Sequence, residues 1–179
     1  MTTPFYNCDP KAKFREIVEA VALELHCREV IPEFSRVIPI ARDQGSVPHM
    51  VGDRDILLRP RGFRGINSTD LGAGRWHRRV QRYLDVVARS RTALDPVGSD
   101  KQFLLRADLG HLDFEERIID VLDMWDARDA DGEMLTCAPI RFVTVSDAGK
   151  EFSADGKWGA SAIRFEIEYA LKLDVSEFQ

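Results

Sequence analysis

The sequence predicts an α+β domain: a mostly antiparallel sheet with two amphipathic helices packed on one face, in the order α-β-β-α-β-β. Three observations carry this. Apolar residues recur at 3–4 residue spacing in two separate stretches, around 14–25 and 114–125. Two long runs, 79–91 and 163–173, alternate apolar and polar residues as half-buried strands do. Turn signals separate these stretches, so consecutive strands can pair through short connections and the helices can cover one sheet face in two layers. The chain has 179 residues, which fits one domain over 1–179 and gives a core large enough to need no staples.

The first helix opens at Asp9-Pro10. Asp9 can cap free backbone N–H groups and Pro10 suits the first helical position. Phe14, Ile17, Val18, Val21 and Leu25 form its apolar face, over about five turns ending near Cys27. Pro32, Pro39 and Pro48 exclude helix after it. A short extended piece is expected around Val37-Ile40 and a strand over Arg54–Arg59, which Pro60 ends or places at an edge. A long loop is expected over 62–75, of the length that is usually functional. The next strand places Val80, Leu84, Val86 and Ala88 on one face. Its other face, with Arg79, Gln81, Tyr83, Asp85, Arg89 and Arg91, reads as wet and basic.

Asp95-Pro96-Val97-Gly98 is a turn. The second helix is expected to begin near Asp113, with Asp113 and Glu116 at capping-box spacing. Phe114, Ile118, Val121, Leu122 and Trp125 make its apolar stripe, and Asp131-Gly132 marks a turn beyond it. A hairpin follows: a strand over Ile140–Val145, a second long loop over 147–159 with Phe152 and Trp158 exposed, and a final strand. In that strand Ile163, Phe165, Ile167, Tyr169, Leu171 and Leu173 alternate with Arg164, Glu166, Glu168 and Lys172.

The charge is uneven. From Arg54 to Arg91 there are ten Arg against three Asp, a local +7, so with a chain total of −5 the rest carries −12. Such a strip can steer like molecules into head-to-tail contact, mark a nucleic-acid surface, or be a solvated strand face whose arginines pair with local acids. The cysteines, Cys8, Cys27 and Cys137, are odd in number and lack CxxC spacing. Buried free thiols in a reducing cytosol are expected rather than a secreted disulfide scaffold. Met1-Thr2-Thr3-Pro4-Phe5-Tyr6 has neither the basic nor the apolar part of a secretion signal, and no apolar run approaches a membrane span.

Motifs for chemistry are missing. His26, His49, His77 and His111 show no HxH or HExxH spacing. Gly72-Ala73-Gly74 precedes a strand instead of opening a helix, so it offers no helix N-terminus to a phosphate. GxSxG is absent. The acids between Asp108 and Glu133 read as a solvated helix face, and Asp129-Ala130-Asp131-Gly132-Glu133 lacks the length and terminal Glu spacing of a calcium loop. Arg75-Trp76-His77-Arg78-Arg79 mixes cations with an aromatic ring, as single-strand binders do, without any known nucleic-acid motif around it. An enzyme of another type would need a pocket of convergent polar groups, which sequence does not reveal.

One global pattern remains. An amphipathic helix precedes a segment with Ile31-Pro32 and Val47-Pro48, then a short strand, a long loop and an extended strand. A helix with Phe114-Glu115-Glu116-Arg117-Ile118-Ile119 follows, then a hairpin ending Phe165-Glu166-Ile167-Glu168-Tyr169. This resembles the tail terminator and tail completion (head-tail joining) proteins of tailed bacteriophages and prophages, in element order and short phrases over most of the chain. The resemblance implies a hexameric ring that caps the tail tube and joins it to the head connector or neck protein, with DNA passing through the lumen without sequence-specific binding. It implies a structural virion protein of the tail or neck, assembled in the host cytoplasm, with no cofactor, metal or catalytic residue. A neighbouring head-side neck protein is the alternative within that setting, and a small nucleic-acid-binding module using the Arg54–Arg91 strip the alternative outside it. The expected protein contacts are Arg75, Trp76, Arg79, Arg89, Arg91, Phe152 and Trp158, on the basic strand face and the two long loops. The chain is longer than many such proteins, and 62–75 is the expected insertion.

Overall fold

The computed structural model describes residues 14–30, 37–39, 54–65, 77–91, 111–147 and 158–172. They form α1 (Phe14–Cys27), β1 (Val37–Pro39), β2 (Arg54–Gly65), β3 (His77–Arg91), α2 (His111–Leu122), β4 (Arg141–Asp147) and β5 (Trp158–Lys172). The four long strands and two helices follow the expected α-β-β-α-β-β order, and β1 adds a short fifth strand. The sheet order is β1-β2-β3-β5-β4. Every pairing is antiparallel except β1 with β2. The architecture is α+β. The pairs β2–β3 and β4–β5 join consecutive strands, whereas the central pair, β3 with β5, joins strands far apart in sequence and runs the full length of both.

Both helices pack on one sheet face. The predicted stripe of α1 is buried in full: Phe14, Ile17, Val18, Val21 and Leu25. In α2 it is Phe114, Ile118 and Leu122, joined by His111, with Val121 and Trp125 partly buried against the same core. Ile56, Leu58, Leu84, Val86, Ile163, Phe165 and Ile167 meet them from the sheet. Side chains alternate along a strand, so these even positions on β2 and β3 and odd positions on β5 define the helix face. Burying each such side chain contributes roughly 1.5–3 kcal/mol.

Several boundaries differ from expectation. β2 does not end at Pro60 but continues to Gly65, with a register shift between Pro60 and Phe63. β1 pairs only with Ile56–Leu58, so among the described strands Pro60 has a neighbour, β3, on one side only, an edge position of the kind that tolerates proline. The expected loop over 62–75 therefore loses 62–65 to β2, and 66–76 lie outside the described residues. The second loop likewise loses Asp147 to β4 and Trp158 and Gly159 to β5. The described part of α1 begins at Phe14; Asp9-Pro10 lie outside it. The described part of α2 begins at His111, close to the expected start, and Asp113 lies inside the helix rather than at its cap. Met124, at φ 61°, turns the chain out of the helix, and its N–H donates to the Ile140 carbonyl at 2.7 Å. Cys137 is buried and disulfide-bonded, its partner lying outside the described residues, and Cys27 is free but exposed. Neither is the buried free thiol that the cysteine count suggests. Among the described residues no helix is long and apolar enough to cross a membrane.

Candidate functional site

The face of the sheet away from the helices carries the basic residues of β3, and it is not the wet surface that alternation alone implies. Gln81, Asp85, Val87 and Arg89 are all buried. The strand register gives the reason. Rungs across β2, β3 and β5 read Asp55–Arg89–Ala160, then Leu57–Val87–Ala162, then Arg59–Asp85–Arg164. The apolar rung is a second small core of Leu57, Val87, Ala160 and Ala162. The charged rungs pair opposite signs across strands, the arrangement that stabilises neighbouring side chains on a sheet.

Arg89 and Asp55 form a buried pair, with Arg89 Nε donating to Asp55 Oδ1 at 2.6 Å and Nη2 to Oδ2. This two-pronged contact suits guanidinium and carboxylate. Next along the sheet, Asp85 serves two cations. Arg61 Nε donates to its Oδ2 at 2.5 Å, while Arg164 donates through Nε to Oδ1 at 2.7 Å and through Nη2 to Oδ2 at 3.2 Å. The carboxylate is 1% exposed, and the two arginines are 40% and 39% exposed. Burial acts to raise the Asp85 pKa, but hydrogen bonds from Arg164 and Arg61, with their charges, outweigh it and hold the group below the ordinary carboxylate value. The hydrogen bond to Asp85 raises Arg164 in turn, against partial burial. The Arg164 guanidinium also lies 5.8 Å from the Tyr83 ring centre, and Arg82 Nε donates to the Arg61 carbonyl at 2.9 Å. Further on, Arg79 Nη2 donates to Glu168 at 2.5 Å and Arg141 Nη2 to Glu166 at 2.7 Å.

The four described members of the expected contact set, Arg79, Arg89, Arg91 and Trp158, do not form one patch. Arg75, Trp76 and Phe152 lie outside the described residues. Arg79 is half-exposed and tied to Glu168. Arg89 is 2% exposed, which removes it from any surface of the isolated chain: strand pairing places Asp55 beside it, and the two charges neutralise each other inside. Arg91 and Trp158 are register partners at one end of the β3–β5 pair, so Trp158 belongs to a strand rather than a loop tip. Arg79 is twelve positions from Arg91 on β3, about 40 Å at the usual strand rise.

A second polar cluster, on the helix face, was not legible as a site. His111 Nδ1 is 2.8 Å from Ser90 Oγ, and its Nε2 is 2.9 Å from Ser161 Oγ and 3.2 Å from Glu115. Burial acts to raise the Glu115 pKa; hydrogen bonds from His111 and Ser161 overcome this and lower it. Serine, imidazole and carboxylate are the parts of an acyl-transfer relay. Here, however, both hydroxyls and the ring are buried and both ring nitrogens are engaged. The cluster fastens the start of α2 to β3 and β5 as a closed polar plug. The usable sequence signal was parity, since Ser90 and Ser161 occupy inward positions of two strands.

The turn that echoes a calcium loop is closed as well. Asp129 Oδ1 accepts the N–H groups of Asp131 and Glu133, each at 2.9 Å, and Gly132 supplies the left-handed φ of 83°. Among the described residues no group of acids, histidines or cysteines is arranged to hold a metal. A groove of about 530 Å³ runs between α1 and this turn, with Ala20, Leu23 and Leu135 in its wall and Glu16, Glu19 and Asp129 at its rim. No protein-family model and no curated protein matches this chain.

Proposed function

We propose that this chain is a structural subunit of a tailed-phage or prophage particle. In this reading it is a tail terminator whose copies join head to tail in a hexameric ring, close the tail tube and meet the head connector, with DNA crossing the lumen. The observation that supports it best is the division of charge across the sheet. The helical side, residues 14–30 and 111–133, carries thirteen acids against four arginines. On the opposite face, beside the buried and mutually neutralised Arg89–Asp55 pair, the described strands carry Arg59, Arg61, Arg79, Arg141 and Arg164 against Asp85, Glu166 and Glu168. A ring needs two unlike, mutually complementary surfaces on each subunit, and opposite charge supplies both attraction and register. Among the described residues the His111 and Asp129 clusters are closed by internal partners, which fits assembly better than catalysis.

Electron microscopy of particles made without this gene tests the proposal. Overlong tails, or separate tails beside filled heads, are the expected result, and tail length distinguishes a terminator from a head-side neck protein. Unaltered infectious particles would refute a role in the virion.

A further inference from the structure

Arg61 and Arg164 converge on one carboxylate and leave an excess of cation. Asp85 balances only one of them. Among the described residues no other side-chain acceptor meets the Nη1 and Nη2 groups of Arg61 or Nη1 of Arg164. Both arginine side chains stay about 40% exposed over the buried Asp85 carboxylate that anchors them, so the pair is accessible from solvent. Guanidinium donors held in this way recognise carboxylates and phosphates.

We propose that this arginine pair is the docking site for the acidic stripe of α2, Glu116 and Asp120, of a second copy of the chain. This rests on the assembly reading and names the surfaces it would use. Glu116 and Asp120 are exposed and four residues apart, so they occupy one helix face. Among the described residues neither has a cation partner; the neighbouring Arg117 is turned instead to the Glu29 carbonyl at 2.9 Å. Like charges at this spacing disfavour a helix. Asp120 also sits near the C-terminal end of α2, whose last turn holds no basic residue, where the helix dipole disfavours an anion. The stripe is thus unbalanced within its own subunit, as the arginine pair is.

Geometry makes the contact intermolecular. The helices cover one face of the sheet and the arginine pair stands on the other, so α2 cannot reach Arg61 or Arg164 of its own chain. The spacing also agrees. Side chains one helical turn apart are about 5–6 Å from one another, and two guanidiniums sharing one carboxylate lie at a similar separation. Each copy would offer its stripe to one neighbour and its arginine pair to the next, which is the head-to-tail relation a ring requires.

Sedimentation velocity of the full chain, over a range of concentration and salt, tests this. The parent protein should associate at low salt and dissociate as salt rises. Arg61→Glu should weaken association roughly tenfold or more, and so should Glu116→Arg/Asp120→Arg. Asp85 keeps Arg164 in the first variant, and the second lies on the surface, so circular dichroism should show both folded. Mixing the two variants should restore association, because the reversed charges again match. Association of the parent that neither variant disturbs would overturn the assigned surfaces and leave the ring reading standing. A parent that stays monomeric at every concentration and salt would overturn both. Salt-dependent binding of a single-stranded oligonucleotide, lost in Arg61→Glu while self-association is unchanged, would assign the arginine pair to phosphate and overturn the proposal.

Discussion

Replacing Arg89 by methionine separates a buried strut from a surface contact. The guanidinium is 2% exposed and the Asp55 carboxylate it grips is 0% exposed. Methionine keeps much of the stem and removes the charge, leaving Asp55 without Arg89 in a desolvated site. Removing one partner of a buried ion pair costs about 3–5 kcal/mol, which for a domain of this size lowers the melting temperature by roughly 6–20 °C. Thermal unfolding followed by circular dichroism, with urea unfolding by tryptophan fluorescence, reads this directly. The double variant Arg89→Met/Asp55→Leu should recover most of the loss, because a matched apolar pair often replaces a buried ion pair at little cost. A surface arginine would behave otherwise: its substitution stays within about 0.5 kcal/mol and changes assembly instead. Stability of Arg89→Met within that margin of the parent, or a double variant no better than the single, would refute the buried-strut account.

Asp85 should make stability fall in acid. Its pKa is depressed in the folded chain, so its contribution is complete above the unfolded value of about 3.9 and is lost as pH drops through the folded value. Urea midpoints measured from about pH 7 down to about pH 3 should therefore show Asp85→Asn less stable at the neutral end and converging with the parent at the acid end; parallel curves would contradict this. His111→Leu leaves the buried hydroxyls of Ser90 and Ser161 without their ring partner and should cost about 2–4 kcal/mol, with Ser90→Ala/Ser161→Ala in the same background recovering part of it. A fluorophosphonate probe should label neither serine of the native protein, and labelling of Ser90 or Ser161 would show that the plug opens to substrate.

The helix cores were readable from the sequence because a helix buries residues set by its own local period, and the stripes of α1 and α2 are buried as their spacing demands. Strand identity was readable for the same reason. Strand environment was not. Alternation says which residues share a face but not what lies beside them, and the β3 face looked basic because the strand was read alone. Glu166 and Glu168, more than eighty residues later, are the acids that the β3–β5 register brings to it. Asp55 comes from the other side. The His111 cluster is not legible in the sequence for a similar reason, as its parts come from β3, α2 and β5. Pro60 does not end β2, because proline removes only one donor and an edge strand tolerates it.

The same register bears on how copies could meet. Open strand edges are the usual route by which sheet proteins associate, and β4 is an outer strand with Phe142, Val143 and Val145 exposed. Its edge is nevertheless blunted. The Phe142 N–H is taken by the Asp123 carboxylate at 2.9 Å, the Thr144 hydroxyl donates to the Val145 carbonyl at 3.3 Å, and the register shifts between Phe142 and Thr144. Such bulges and local bonds disfavour strand addition. Strand addition would also be a backbone contact indifferent to side-chain charge. The blunted β4 edge, with an acidic stripe on the helix side and a surplus of guanidinium on the other, favours the proposed contact through the faces over strand addition at β4. Association through β4 would survive Arg61→Glu and fail on Val143→Pro; association through the faces should show the reverse.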